Sequence, residues 1–154
     1  MPSPDARLVQ LGLCLPEAVE PAGEYLPAVR SGAYGYTSGQ VPLVAGKLLA
    51  QGKLGASVTT RQGQACARQC ALNALAALRA SGDLSAVTRV VKASVFVAST
   101  PDFTEQPEVA DGASELLRAV FGDAGRHARS AVSVPALPLD APVELDLVVE
   151  FGGG

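Results

Sequence analysis

The sequence predicts an α+β fold in which one mixed β-sheet carries two helices on one face. Segments rich in β-branched residues alternate with two longer segments of helical periodicity, in the order β-β-(β)-α-β-α-β-β. The chain has 154 residues, which suits one domain with a substantial core. Hydrophobic residues make up 48% of the chain and charged residues 18%, a composition typical of folded globular proteins.

The first elements are a short N-terminal helix and two strands. Residues 3–5 supply an N-cap serine, a first-turn proline and a first-turn acid, and Gly12 ends the helical pattern. Two short strands are expected at about 26–30 and 33–38, joined through a Ser-Gly turn. The segment 41–55 follows, with glycine turns and a proline that favours an edge or irregular strand.

A long helix and a long strand occupy the middle of the chain. Thr59 and Gln62 fit a capping box, and the Ala- and Leu-rich stretch 60–80 follows with a broad apolar face. Residues 87–99 are rich in β-branched side chains and predict a strand.

A second helix and two further strands complete the chain. Residues 100–102, Thr-Pro-Asp, predict the start of this helix, which Pro107 interrupts and which ends near Gly122. Two final strands are expected at 128–134 and 143–151, separated by a turn that contains two prolines. We assign residues 1–24 to an N-terminal extension and residues 25–154 to a single globular domain.

The last strand has two chemically different faces. Apolar residues alternate with mostly acidic ones: Val143, Leu145, Leu147 and Val149 against Glu144, Asp146, Val148 and Glu150. We expect the apolar face to lie beneath the helices. The mixed face suits a subunit contact or a binding site, so we expect a homo-oligomer whose sheets pack together.

Charge and cysteine content exclude several classes of protein. The formal net charge is −3, whereas general nucleic-acid binders carry a basic field. No apolar run approaches the roughly 20 residues that span a bilayer, and the N-terminus lacks the features of a secretory signal. Cys66 and Cys70 share a helix face, but a zinc site would lack further ligands. We therefore expect a cytoplasmic protein without a metal site and without membrane or nucleic-acid partners.

A cluster of basic residues lies at the start of the strand expected at 128–134. Arg126, His127 and Arg129 include the only histidine of the chain, and small residues follow them. A guanidinium on a strand is a planar fork for a carboxylate or a phosphate. If Arg129 points inward it needs a partner, either an acid such as Glu144 or an anionic ligand. For Arg126 and His127, a solvated turn or a helix C-terminus complemented by positive charge is the simpler interpretation.

Several short motifs occur in a specific order from about residue 25 to residue 150. They include Ser38-Gly39-Gln40-Val41-Pro42, Ala128-Arg129-Ser130, Leu137-Pro138 and Val143-Glu144-Leu145. In this order and spacing, the chain resembles the YjgF-type reactive intermediate deaminase (Rid) family. The N-terminal extension and the long segment around 104–127 resemble a longer subgroup of that family.

This resemblance implies a fold, an assembly and a reaction. The fold would be chorismate-mutase-like, with a six-stranded mixed sheet and two helices on one face, in a homotrimer with clefts between subunits. The reaction would be hydrolysis of 2-imino acids or their enamine tautomers, such as 2-aminoacrylate and 2-iminopropionate, to 2-oxo acids and ammonia. The implied enzyme is a 2-iminobutanoate/2-iminopropanoate deaminase that needs neither cofactor nor metal.

The resemblance also implies roles for individual residues. Arg129 would hold the substrate carboxylate, and Glu144 would orient or activate water. Tyr25, Ser38 and Gly39 would bind substrate from their side of the subunit interface.

Two further substrate-binding positions depart from the family pattern. Ala131 stands where short members often have cysteine, so that only its backbone N–H remains for binding. Asp111 stands where members often have asparagine, and an acid there would narrow or alter the choice of substrate.

Two other functions stay open. One is a regulatory trimer that binds small carboxylates without turnover. The other is an endoribonuclease, a class that is also attached to this family by name. The acidic charge balance and the few aromatic residues disfavour RNA binding.

Overall fold

The elements follow one another in the predicted order. The computed structural model describes residues 2–18, 20–21 and 23–153; residues 1, 19 and 22 of the predicted extension, and residue 154, lie outside the described residues. The helices are α1 (Pro4–Gln10), α2 (Thr60–Arg79) and α3 (Gln106–Phe121). The strands are β1 (Ala28–Ser31), β2 (Tyr34–Thr37), β3 (Leu43–Val44), β4 (Lys47–Leu48), β5 (Val87–Ala98), β6 (Ala128–Val134) and β7 (Val143–Phe151).

The main sheet has five strands in the order β1-β2-β7-β5-β6. Strands β5 and β6 pair in parallel, and the other neighbouring strands are antiparallel, which confirms a mixed sheet.

The expectation of a six-stranded sheet is wrong. Strands β3 and β4 form a separate two-stranded sheet, and Gln40 pairs with β7 as an isolated bridge, through two backbone hydrogen bonds with Leu145. Pro42 has no N–H to donate and so cannot extend this pairing. Ala45 and Gly46 have φ values of 50° and 80°, which turn the chain back into a tight hairpin.

Helices α2 and α3 cover one face of the sheet, as predicted. The apolar residues of β7 that the sequence assigned to the core are buried beneath them. A capping box at Thr59 and Gln62 begins α2. Further along this helix, the side-chain amide of Asn73 donates hydrogen bonds to the carbonyls of Val41 and Leu43. The small helix α1 contacts α3, with Leu8 buried in the same core.

The predicted start of the second helix at residues 100–102 is wrong. Residues 101–102 form a turn, and α3 begins at Gln106 with Pro107 in its first turn. A proline there loses no helical hydrogen bond, because the first N–H groups of a helix have no intrahelical partner. Pro107 therefore opens the helix instead of interrupting it.

The sheet face opposite the helices, which we call the outer face, is only partly covered. Glu144, Asp146 and Val148 are half-buried there, in alternation with the buried residues of β7. Val132 of β6, which lies opposite Phe96 of β5 in the register, is 49% exposed on the same face. Such an apolar surface with acidic neighbours fits the predicted subunit contact, which stays a prediction.

Candidate functional site

The predicted site residues fall into two groups on the protomer. One group, the arginine cluster, consists of Arg129 on β6 with Asp111 and Ser114 on α3. The other, the glutamate cluster, consists of Glu144 on β7 with Tyr25 and Gly39.

Arg129 lies on the edge strand of the sheet, on the face that carries the helices. In the β5–β6 register it stands opposite the buried Ala93, so its side chain projects toward α3. Its Nη1 donates to Asp111 Oδ1 at 2.8 Å and to Ser114 Oγ at 3.1 Å. The protein acid that pairs with this guanidinium is therefore Asp111 and not Glu144. The side chain of Arg129 is 24% exposed and that of Asp111 49% exposed, so the pair faces solvent on one side.

The hydrogen bonds of Arg129 leave one edge of the guanidinium free. Both protons of Nη1 are directed to Asp111 and Ser114, and Nη2 donates one bond of 3.4 Å to the carbonyl of Pro107. Within the described ranges, no acceptor bonds Nε. In a guanidinium the Nε–H and one Nη2–H lie side by side in the plane, and such an edge matches the two oxygens of a carboxylate.

Ser114 and His127 extend the arginine cluster. The Oγ of Ser114 lies 2.9 Å from His127 Nε2, and His127 Nδ1 lies 2.7 Å from the carbonyl oxygen of Gly125. A carbonyl only accepts, so Nδ1 carries the proton and Nε2 accepts from Ser114 in the neutral ring. His127 is thus held by two bonds rather than solvated.

Sequence reasoning missed Ser114. Its position three residues after Asp111 was the signal, because residues three apart share a helix face. Ala131 is half-buried on the same face of β6 as Arg129, and its role in substrate binding stays a prediction.

The glutamate cluster lines a concavity of about 240 Å³. Tyr25, Gly39 and Glu144 lie in its wall, together with residues that include Pro138 and Leu139. A Cβ atom added to Gly39 would lie 2.9 Å from Cδ of Glu144, so the absence of a side chain at Gly39 makes room for the carboxylate. The backbone bonds between the next residues, Gln40 and Leu145, hold the two strands in this register.

Ser38 is near this concavity but does not line it. Its hydroxyl donates to the carbonyl of Leu26, and its N–H donates to the carbonyl of Pro27. The side chain therefore fixes the loop that carries Tyr25.

Burial raises the pKa of the Glu144 carboxyl, and the negative charge of Asp146 raises it further. Burial also raises the pKa of Asp146, although a hydrogen bond from Ser94 and the charge of Lys92 oppose that shift. Glu144 is thus a carboxylate with increased affinity for a proton, which suits a general base.

The two clusters project from opposite faces of the sheet. Arg129 stands opposite Ala93 on the helix side, whereas Glu144 stands opposite Phe96 on the outer face. One protomer therefore does not bring the predicted catalytic pair together.

The described residues give no sign of a metal centre or a membrane span. In the ranges 2–18, 20–21 and 23–153, no three His, Cys, Asp or Glu side chains are grouped as metal ligands. Cys66 and Cys70 are buried, and burial raises the pKa of the Cys66 thiol to about 11. No helix in these ranges is long and apolar enough to cross a bilayer.

Comparison with known proteins gives matches along almost the whole chain. Residues 5–151 match the sequence profile of the family described as "YjgF/chorismate mutase-like, putative endoribonuclease". Protein TCP17 of Trypanosoma cruzi is 51% identical over 150 residues, which are 95% of this chain and 92% of that protein.

Two crystal structures are similar in both sequence and shape. One is titled "putative endoribonuclease" and comes from Shewanella oneidensis; it is 40% identical, with a TM-score of 0.94 over 97% of this chain and 100% of its own. The other, a protein of unknown function from Agrobacterium tumefaciens, is 44% identical, with a TM-score of 0.89 over 96% of this chain and 92% of its own.

Proposed function

The chain belongs to the YjgF/chorismate-mutase-like family, and from this premise we propose that it is a hydrolytic deaminase of reactive 2-imino acids. Its substrates are 2-aminoacrylate, 2-iminopropionate and related imines or enamines, and its products are 2-oxo acids and ammonia. The proposal includes a cytoplasmic location, an assembly of three subunits, and catalysis that needs neither cofactor nor metal.

The observation that carries this proposal is the free edge of Arg129. Asp111, Ser114 and the carbonyl of Pro107 fix the guanidinium plane, and the Nε–Nη2 edge remains for a ligand. A bidentate bond to the substrate carboxylate would hold C2 in place, and charge-assisted hydrogen bonds contribute roughly 1.5–3 kcal/mol each. Such positioning is the main requirement, because a protonated imine is already electrophilic.

Glu144 is the group that activates water in this proposal. The water oxygen bonds to C2 of the iminium, while a proton passes from water to the Glu144 carboxylate. The amino group of the resulting amino alcohol then takes the proton back from Glu144, the C–N bond breaks and ammonia leaves. The C2–O bond becomes the carbonyl as the hydroxyl proton passes to the Glu144 carboxylate, which finally releases it to ammonia or to solvent. The raised pKa of Glu144 makes its carboxylate a stronger acceptor for the water proton.

The remaining predicted residues complete the site in the proposal. Asp111 orients Arg129 and places a negative charge near the substrate, which favours a cationic iminium and disfavours a second acidic group. Ala131 offers its backbone N–H. Tyr25 and Gly39 shape the wall around Glu144, and Ser38 acts through the loop that it fixes.

Because the two clusters lie on opposite faces of one sheet, the proposal places each active site between two protomers. One protomer contributes Arg129, and its neighbour contributes Glu144. The outer face, with the exposed Val132, is the surface through which the protomers meet.

The direct test is the decay of 2-aminoacrylate, generated in the cuvette by a pyridoxal-phosphate enzyme that eliminates water from serine. We expect the wild-type protein to accelerate this decay and Arg129→Ala to lose nearly all of the effect. Arg129→Lys should also be poor, because an ammonium lacks the two-pronged geometry. Arg61→Ala, which changes an exposed arginine on α2, is the matched control and should keep the wild-type rate.

Two other outcomes would replace the proposal. An inactive wild-type protein that binds 2-oxo acids tightly would be a regulatory carboxylate-binding module. The names of the family and of the Shewanella oneidensis relative favour a test for RNA cleavage as well. Cleavage that survives repurification and disappears in Arg129→Ala would identify a nuclease.

A further inference from the structure

A second concavity lies between α3 and the start of β6, and it shares Arg129 and Ser114 with the arginine cluster. Its volume is about 240 Å³. It is lined by Ser114, Arg118, Gly125, Arg126, His127 and Arg129. The unusual basic cluster of the sequence therefore converges on one small space, together with an arginine from the neighbouring helix.

The charges around this space do not cancel. Arg118 and Arg126 are exposed, and within the part of the chain that the structure describes neither has a carboxylate oxygen within 4.0 Å. Arg129 is paired with Asp111. The three guanidinium charges of Arg118, Arg126 and Arg129 and the one carboxylate charge of Asp111 leave a net charge of two positive units, without counting His127.

The acids nearest in sequence do not neutralise the cluster. Glu115 and Asp123 flank Arg118 along the chain, yet neither lines the concavity. Like charges held close together without counter-ions repel one another, and an anion that enters the space relieves this repulsion.

The lining also supplies hydrogen-bond groups of the right kind. Guanidinium groups bind phosphate oxygens with two parallel bonds, and three such groups line the concavity, of which Arg118 and Arg126 have no carboxylate partner among the described residues. The half-buried Ser114 is part of the same lining.

We propose that this concavity is a binding site for a phosphate group, anchored by Arg118 and Arg126. A phosphate dianion matches the net charge of two positive units, whereas a single carboxylate leaves half of it unbalanced. The ligand is either inorganic phosphate or the phosphate end of a small ester. Arg129 also lines this concavity, but the anchors Arg118 and Arg126 are not groups that hold or hydrolyse the imine, so variants of the anchors test this site apart from the proposed deaminase activity.

The test is isothermal titration of the full chain with inorganic phosphate, in a buffer of low ionic strength that contains neither phosphate nor sulfate. We expect saturable binding of one phosphate per chain. Arg118→Gln and Arg126→Gln should each weaken binding by about tenfold, the loss of one charge-assisted contact. Arg61→Gln is the matched control, because it removes an equal charge elsewhere on the surface, and it should change the affinity by less than about twofold.

A second titration with phenyl phosphate identifies the source of the phosphate group. Binding at least as tight as that of inorganic phosphate assigns the site to an ester, and weaker binding assigns it to the free ion. The proposal is overturned if phosphate shows no saturable binding, if the Arg118→Gln/Arg126→Gln double variant binds as the wild type does, or if Arg61→Gln weakens binding as much as the anchor variants. All readouts are binding constants, so they stand apart from the decay of 2-aminoacrylate.

Discussion

Glu144 and Asp146 stand two residues apart on the outer face, and the negative charge of Asp146 raises the pKa of Glu144. Their side chains project from the same side of β7 because side chains alternate along a strand. Partial burial weakens the hydration that stabilises both carboxylates, so the raised pKa of Glu144 has a local structural cause.

Removing the charge of Asp146 should therefore lower the pKa of Glu144. In Asp146→Asn, the Glu144 carboxylate loses a negatively charged neighbour, which stabilises its ionised form. The titration of Glu144 therefore moves to lower pH. Because the base must be ionised, the acidic limb of the kcat/KM profile should move in the same direction. Carbon NMR of the Glu144 carboxyl measures the first effect, and imine decay against pH measures the second.

Asp102→Asn is the control for this titration, since Asp102 is exposed in the turn after β5 and is not a cause of the Glu144 shift. A pKa of Glu144 that stays in place in Asp146→Asn, or that moves equally in Asp102→Asn, would contradict the electrostatic explanation.

At the scale of single residues, the sequence indicates which side chains can bind or react with a ligand, but not which of them contact one another. Arg129 and Glu144 were both recognisable from their motifs, and an ion pair between them was one of two interpretations. The actual partner, Asp111, is 18 residues away on another element. The choice between the two acids depends on which face of the sheet each one occupies, and that follows from the strand register rather than from the motifs.

At the scale of the elements, the arginine cluster depends on how closely α2 and α3 approach each other. Gly112 stands next to Asp111 on α3, and a Cβ atom added there would lie 2.0 Å from the carbonyl oxygen of Gln64 on α2. A Cβ atom added to Gly63 would likewise lie 2.9 Å from the side chain of Leu54, and close to that of Val109. Two glycines thus allow the helix backbones to come together beside the site.

Gly112→Ala should destabilise the protein by about 1–3 kcal/mol, because the new methyl group collides with backbone that cannot move aside. Intrinsic helix propensity alone predicts the opposite sign, a gain of about 1 kcal/mol. Urea unfolding followed by circular dichroism measures the difference. Ala119→Gly, at an exposed position of the same helix, is the control and should lose only about 1 kcal/mol. A Gly112→Ala variant as stable as the wild type would show that the helices are not in close contact.

The long elements were predicted well because their periodicity extends over many residues. The capping box of α2, the β-branched run of β5 and the alternation of β7 all had the predicted structure. Short signals were less reliable. Thr100-Pro101-Asp102 has the residue types of a helix start, yet Pro107 has the same preference, and packing of α3 against α2 and β5 favours the later start. The predicted sixth strand does not form, because Pro42 has no N–H to donate to the main sheet, and this reason can be read from the sequence.

At the scale of the whole molecule, the sheet separates two half-sites. The helix face of β6 carries Arg129, and the outer face of β7 carries Glu144 beside Gly39. The alternation of β7 predicted that its second face meets something other than the core. Neither that alternation nor the single protomer defines the number of subunits, which is a property of surfaces on several chains.

Mixing of two inactive variants tests the shared site most directly. Arg129→Ala protomers keep Glu144, and Glu144→Ala protomers keep Arg129. If each active site takes one group from each of two neighbours, random assembly of equal amounts restores about a quarter of the sites, since each correct half is present in half of the positions. Imine decay should therefore recover to about a quarter of the wild-type rate, whereas either variant alone stays inactive.

A mixture of Arg129→Ala with the Arg129→Ala/Glu144→Ala double variant provides the control, because no arrangement of these chains contains an intact site. Native mass spectrometry verifies that mixed assemblies have formed. The account predicts recovery in the first mixture and none in the second. Mixed assemblies that stay as inactive as their separate components would show that Arg129 and Glu144 do not act together across a subunit boundary.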